Sequence, residues 1–208
     1  GAFAEDAGGV DAGAAYLIFG GPDLAGDVDL GSVGPGDDAA VRGVKFIGEV
    51  GEDHAGMVVA AAGDTNGDGC MDFYVGAPGY DSGVLSETGA SYLVRIDAEE
   101  GGPEGAPCAE DAWMAWSSDL SFASLSYVGA GNGEESGSSV ATAGDFNGDG
   151  YDDAIIGAPN ATETGAYTGA VYLVLNEPTL AGSVGLDEAD VRWHGINGGD
   201  QAGYALST

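Results

Sequence analysis

The sequence repeats itself, and the repeats constrain the fold more than any other feature. Three segments share one pattern: Gly13-Ala-Ala-Tyr-Leu-Ile-Phe19, Gly89-Ala-Ser-Tyr-Leu-Val94 and Gly169-Ala-Val-Tyr-Leu-Val174. A second element runs from Ala62 through Asp72 into Phe-Tyr-Val-Gly-Ala-Pro78. It returns from Ala143 through Asp153 into Ala-Ile-Ile-Gly-Ala-Pro159. A third recurs as Phe46-Ile-Gly48, Tyr127-Val-Gly129 and Trp193-His-Gly195. Eight residues after each of these glycines stands another: Gly56, Gly137 and Gly203. The period is 81 residues from Phe46 to Tyr127 and 66 from Tyr127 to Trp193, so the longer unit carries an insertion near 98–111.

Each unit reads as four short strands. In the first complete unit these are 57–62, 72–76, 89–95 and 123–128, rich in Val, Ile and Tyr and bounded by Gly, Asp, Asn and Pro. No stretch has a convincing helical period; 187–192 is too short to argue from. The expected fold is all-β, with β-propeller blades of four antiparallel strands and under three blades in this chain. Residues 1–49 supply strands three and four of one blade. Residues 50–129 make a complete blade with the insertion, 130–195 a second complete blade, and 196–208 the first strand of another. A closed propeller needs about four to eight blades. The others are expected from a longer chain or from further copies; cut points at no natural boundary favour the longer chain.

Composition narrows the function. The chain has 35 Asp plus Glu against 4 Lys plus Arg, a net charge of −31. Arg42, Lys45, Arg95 and Arg192 are too few and too scattered for a phosphate-binding patch, so nucleic acid is excluded as a partner. An anionic membrane surface is excluded on the same ground. No apolar run approaches the roughly 20 residues that span a bilayer, so direct membrane insertion is not expected. The 40 glycines lack a three-residue period, which excludes collagen.

Some of the acids are spaced as metal ligands. Asp64, Asn66, Asp68, Gly69 and Asp72 occupy positions 1, 3, 5, 6 and 9 of a loop, and Asp145, Asn147, Asp149, Gly150 and Asp153 repeat that spacing. Oxygen donors at alternate positions can wrap one cation, and glycine at position 6 permits the sharp turn. The carbonyls of Cys70 and Tyr151, at position 7, can add a ligand. An all-oxygen set with three carboxylates favours Ca²⁺ over transition metals, one ion per complete blade. An EF-hand would need Glu at position 12; Val75 and Ile156 stand there, in strands.

At these residues the chain resembles the FG-GAP repeats that form the blades of the integrin α-subunit β-propeller and its bacterial relatives. The resemblance rests on Gly63-Asp-Thr-Asn-Gly-Asp-Gly…Asp72…Gly-Ala-Pro78 and Gly144-Asp-Phe-Asn-Gly-Asp-Gly…Asp153…Gly-Ala-Pro159. It implies Ca²⁺ between strands one and two of each blade and an extracellular or cell-surface setting. There are departures: Gly1-Ala2-Phe3 stands for Gly-Ala-Pro, and His54-Ala55-Gly56 and Glu135-Ser136-Gly137 stand where Phe-Gly would precede strand one. By the same resemblance, a protein or glycan ligand meets the face formed by the two-to-three connections (79–88 and 160–168) and the four-to-one connections (49–55, 130–136 and 196–202).

The implied function is adhesion or ligand binding. Alternatives are the non-catalytic propeller part of a secreted hydrolase or lyase, and a structural repeat of a surface layer or fibre. Catalysis is not expected. His54 lies in a turn and His194 in a strand, and neither has a nucleophile motif beside it. Trp193 is expected to be buried, and Trp113 and Trp116 lie in or beside the insertion. Asn160-Ala-Thr162 fits a glycosylation acceptor. The two cysteines, Cys70 and Cys108, fall in the one-to-two and three-to-four connections of the same blade. Strand order brings both to one face, so an oxidising setting would allow a disulfide that anchors the insertion over the metal loop.

Overall fold

The structure, a computed structural model, describes residues 1–21, 24, 26–34, 41–96, 108, 118–162 and 165–207. Its strands in chain order are β1 Ala14–Ile18, β2 Val33–Gly34, β3 Val41–Ile47, β4 Val58–Gly63, β5 Asp72–Ala77, β6 Ala90–Val94 and β7 Ser118–Asp119. They continue as β8 Leu125–Val128, β9 Ser139–Gly144, β10 Asp153–Ala158, β11 Ala170–Val174, β12 Gly182–Gly185 and β13 Val191–His194. They form three sheets, with no α-helix among the described residues. The first holds β1, β3, β2 and β7. The second has the order β12-β8-β6-β5-β4, and the third β13-β11-β10-β9. Within the second and third, sequential strands are antiparallel neighbours, the arrangement of propeller blades.

The pleat explains why the middle sheet is apolar on both faces. Successive side chains of a strand point to opposite sides. Tyr74, Leu93, Leu125 and Tyr127 pack against Val140, Ile156, Tyr172 and Leu186 of the third unit. Val75, Ala77, Tyr92 and Val94 pack against Ala15, Val44 and Phe46 of the first. One blade therefore contributes to two interfaces, and its strands lose the polar-out alternation of a half-exposed sheet.

Glycines at fixed offsets let the blades approach. Gly89 opens the third strand at φ +74°, and a Cβ there would lie 2.1 Å from the Ser136 carbonyl oxygen of the next unit. Gly13 and Gly169 make the same parallel bridge, to Ala55 and Ala202.

Four features depart from the sequence-based expectation. The fourth strand of the second blade begins at Leu125, because a 3₁₀ turn over Leu120–Phe122, capped by Asp119, occupies the preceding residues. Equivalent turns stand at Leu30–Ser32 and Leu186–Glu188. Second, the three-to-four connection of one unit adds a strand to the outer edge of its neighbour. β12 pairs in parallel with β8, and β7 with β3, covering edges that would otherwise be unpaired. Third, Trp193 is 45 % exposed, not buried. It pairs with Val171, while the alternate residue, Arg192, faces the second blade over the Tyr172 ring. Fourth, residues 203–205 turn and 206–207 are irregular, so 203–207 form no strand, and Ala202 makes a single bridge to Gly169.

Candidate metal centre

Gly63 ends β4 at φ +81° and turns the chain into the first loop. Asp64 then organises the turn. Its Oδ1 accepts the N–H groups of Gly67 (2.7 Å) and Asp68 (3.1 Å), and its Oδ2 that of Gly69 (2.9 Å). Asp68 Oδ1 accepts from the Cys70 N–H at 2.8 Å, and Asn66 Nδ2 donates to Asp68 Oδ2 at 3.3 Å. Asp72 begins β5 and is buried. Its Oδ2 accepts the Thr65 N–H and hydroxyl, and its Oδ1 the Ile96 N–H at 2.8 Å.

The second loop is wired in the same way 81 residues later. Asp145 accepts from Gly148 (2.7 Å), Asp149 (2.9 Å) and Gly150 (3.0 Å). Asp149 accepts from Tyr151 and Asn147. Asp153 accepts from Phe146 and, across the blade, from the Asn176 N–H. Two loops that differ at positions 2, 7 and 8 reach one hydrogen-bond pattern, so the shared Asp, Asn and Gly residues set the turn.

The predicted ligands are thus gathered in two stages. Asp64, Asn66 and Asp68 are tied to one another and to the turn, while Asp72 is tied to Thr65 and to the end of β6. Among the described residues no three acidic, histidine or cysteine side chains converge closely enough to clasp an ion as they stand. The donor chemistry nevertheless fits a hard divalent cation. A carboxylate offers about four acceptor directions, and Asp64 and Asp72 each use three on the hydrogen bonds above. Burial pushes the Asp72 carboxyl above the usual carboxylate range, the hydrogen bonds from Thr65 and Ile96 oppose this, and the nearby Asp68 charge adds to the rise. Asp153 is raised for the same reasons, with Asp149 as its charged neighbour. A cation would relieve that repulsion.

Cys70 and Cys108 form a disulfide with Cα atoms 5.6 Å apart, which ties the insertion to position 7 of the first loop. Apart from Cys108, the insertion at 98–111 lies outside the described residues, as do Trp113 and Trp116.

Polar residues that the repeat pattern did not flag join the blades. Arg95, 7 % exposed, donates Nε to the Thr65 hydroxyl (3.1 Å), Nη1 to the Leu180 carbonyl (2.9 Å) and Nη2 to the Glu177 carbonyl (3.1 Å). Asn176 donates Nδ2 to the Asp152 carbonyl (2.8 Å) and the Tyr74 hydroxyl (3.2 Å), while its Oδ1 accepts from the Tyr127 hydroxyl. The one advance signal was that Arg95 is one of only four cations in an acidic chain.

At the opposite ends of the strands, the two-to-three and four-to-one connections meet. Gly79 N–H donates to the Asp53 carbonyl, Asn160 N–H to that of Glu134, and Ser86 N–H to Asn132 Oδ1. Five residues after each repeated glycine an acid caps the loop: Asp53 accepts from Val50, Glu134 from Ala130, and Asp200 from Ile196 and Asn197. Burial pushes Asp53 up to about 6, with the Glu49 and Asp81 charges adding to it. His54 packs edge-on to Phe3, and His194 Nδ1 lies 3.1 Å from the adjacent Gly195 carbonyl.

Sheets, loops and inter-blade seams together define β-propeller blades that carry a nine-residue acidic loop between their first two strands. The particular repeat is the FG-GAP repeat, whose family model matches residues 55–94 and 136–174. Those segments span the first three strands of the second and third blades, and the chain carries two such repeats. No curated protein matches the chain.

Proposed function

We propose that this chain is a Ca²⁺-binding β-propeller segment of an extracellular or cell-surface protein. It presents the face of its two-to-three and four-to-one connections to a protein or glycan ligand, as in adhesion. The observation that carries the reading is the pair of loops with the same oxygen donors and the same internal wiring, inside the two FG-GAP repeats. Asp64, Asn66, Asp68, Asp72 and the Cys70 carbonyl would hold one ion. Asp145, Asn147, Asp149, Asp153 and the Tyr151 carbonyl would hold the other. The ions would be structural, neutralising carboxylates that repel each other and fixing the turn between strands one and two.

The disulfide supports an oxidising compartment, and no described helix is long and apolar enough to cross a membrane. The reading is non-catalytic. Thermal unfolding in Ca²⁺ and in EDTA tests it. Chelation should lower the melting temperature markedly, since a ligand at 100 times its Kd adds about 2.7 kcal/mol per site. An unchanged curve would reject calcium as a structural ion.

A further inference from the structure

The two acidic loops touch, and Asp152 joins them through both its side chain and its backbone. Asp152, at position 8 of the second loop, grips Asp64, at position 1 of the first. Its carboxylate Oδ2 accepts the Asp64 N–H at 2.8 Å, and its own N–H donates to the Asp64 carbonyl at 3.0 Å. The fit leaves no spare room. A Cβ on Gly63 would lie 1.9 Å from Asp152 Oδ2, and one on Gly67 would lie 2.7 Å from the Tyr151 ring. The equivalent glycines of the second loop, Gly144 and Gly148, have no atom within 4 Å of that position. Nor does the first loop repeat the grip in its own sequence. Its position 8 is Met71, 66 % exposed, and its position 7 is held by the disulfide instead.

Resting on the calcium reading above, we propose that Asp152 is a positioning residue that couples the two loops, so that an ion in either raises the affinity of the other. Asp152 stands between Tyr151 and Asp153, two ligand positions of its own loop, and holds both backbone polar groups of a ligand position in the neighbour. An ion in the second loop fixes residues 151–153 and with them the entry of the first loop. The first loop then loses less conformational freedom when it binds. Linkage makes the effect reciprocal and equal.

The test is a Ca²⁺ titration by calorimetry on the full chain. The remaining loop is measured alone in Asp68→Ala and in Asp149→Ala, and both loops together in the unmutated chain. The product of the two association constants in the unmutated chain should exceed the product of the single-loop constants by about fivefold or more. In the Asp152→Ala background, which keeps only the backbone bond to the Asp64 carbonyl, the ratio should fall most of the way to one. Asp152→Asn, which keeps an acceptor for the Asp64 N–H, should retain most of the coupling, a rescue that a general loss of stability would not give. A readout without any change at Asp152 is hydrogen exchange at the Asp64 amide in Asp68→Ala. Ca²⁺ in the second loop alone should slow it. Two independent sites, an unchanged ratio in Asp152→Ala, or an Asp64 amide indifferent to Ca²⁺ overturns the coupling while leaving calcium binding intact. Absence of binding at both loops overturns the calcium reading and the coupling together.

Discussion

Replacing Arg95 with Met should destabilise the protein more than any other single change at a cation. The guanidinium is buried between the second blade and the 177–180 turn of the third, and two of its nitrogens satisfy the Glu177 and Leu180 carbonyls at 3.1 and 2.9 Å. A third holds the Thr65 hydroxyl, which itself donates to Asp72. Methionine fills similar volume but leaves these acceptors without a donor. An acceptor orphaned in the core costs about 1–3 kcal/mol, which applies to the buried Thr65 hydroxyl; the Glu177 and Leu180 carbonyls are only part-buried and can turn to water, so a net cost of about 2–4 kcal/mol is expected. For a domain of this size that corresponds to a melting shift of about 4–16 °C. Arg95→Lys keeps the charge but not the planar fork, so it should recover only part of the loss. Thermal unfolding followed by circular dichroism, with Ca²⁺ fixed, measures all three proteins. A shift under about 2 °C for Arg95→Met would show that the seam does not depend on this side chain.

Three further outcomes are expected. Asn176→Leu should cost about 2–4 kcal/mol, since the Tyr74 and Tyr127 hydroxyls lose their shared partner in the core; urea unfolding with no change in midpoint would refute this. Asp53 is 2 % exposed and titrates at about 6 when folded, above the ordinary carboxylate value of 3.8. Its contribution to stability is full below pH 4 and is lost as pH rises through 6. The drop in stability between pH 4 and 6 should therefore be smaller in Asp53→Asn than in the unmutated chain, and equal slopes would discount Asp53. The disulfide closes a 38-residue separation and should contribute about 3–4 kcal/mol on the chain-entropy model. Thiol titration of the denatured, unreduced protein should find no free thiol; two would refute the bond.

What the sequence revealed followed from locality. The strands at 72–76 and 89–95 and the loop turns are decided by residues a few positions apart, and their repetition made them legible. The Cys70–Cys108 pairing also followed, because strand order alone brings the two connections to one face. Features that depend on contacts between units left no local trace. β12 is Gly-Ser-Val-Gly, which reads as a loop and becomes a strand only because the edge of β8 is there to pair with. Asp152 looked like one more acid in an acidic chain until the fold set it against Asp64. Trp193 was misjudged because the strand pattern gives alternation but not which side meets a neighbour. The left-handed conformations of Glu87 and Glu135 were equally hidden, since a glutamate carries no turn signal of the kind glycine does.

Calcium stoichiometry bears most directly on the account. Chelator-stripped protein titrated with Ca²⁺ in a calorimeter should bind two ions per chain, falling to one in Asp68→Ala or Asp149→Ala and to none when both are changed. No heat of binding, or two ions still bound by the double variant, would contradict the assignment of these loops as the metal centres.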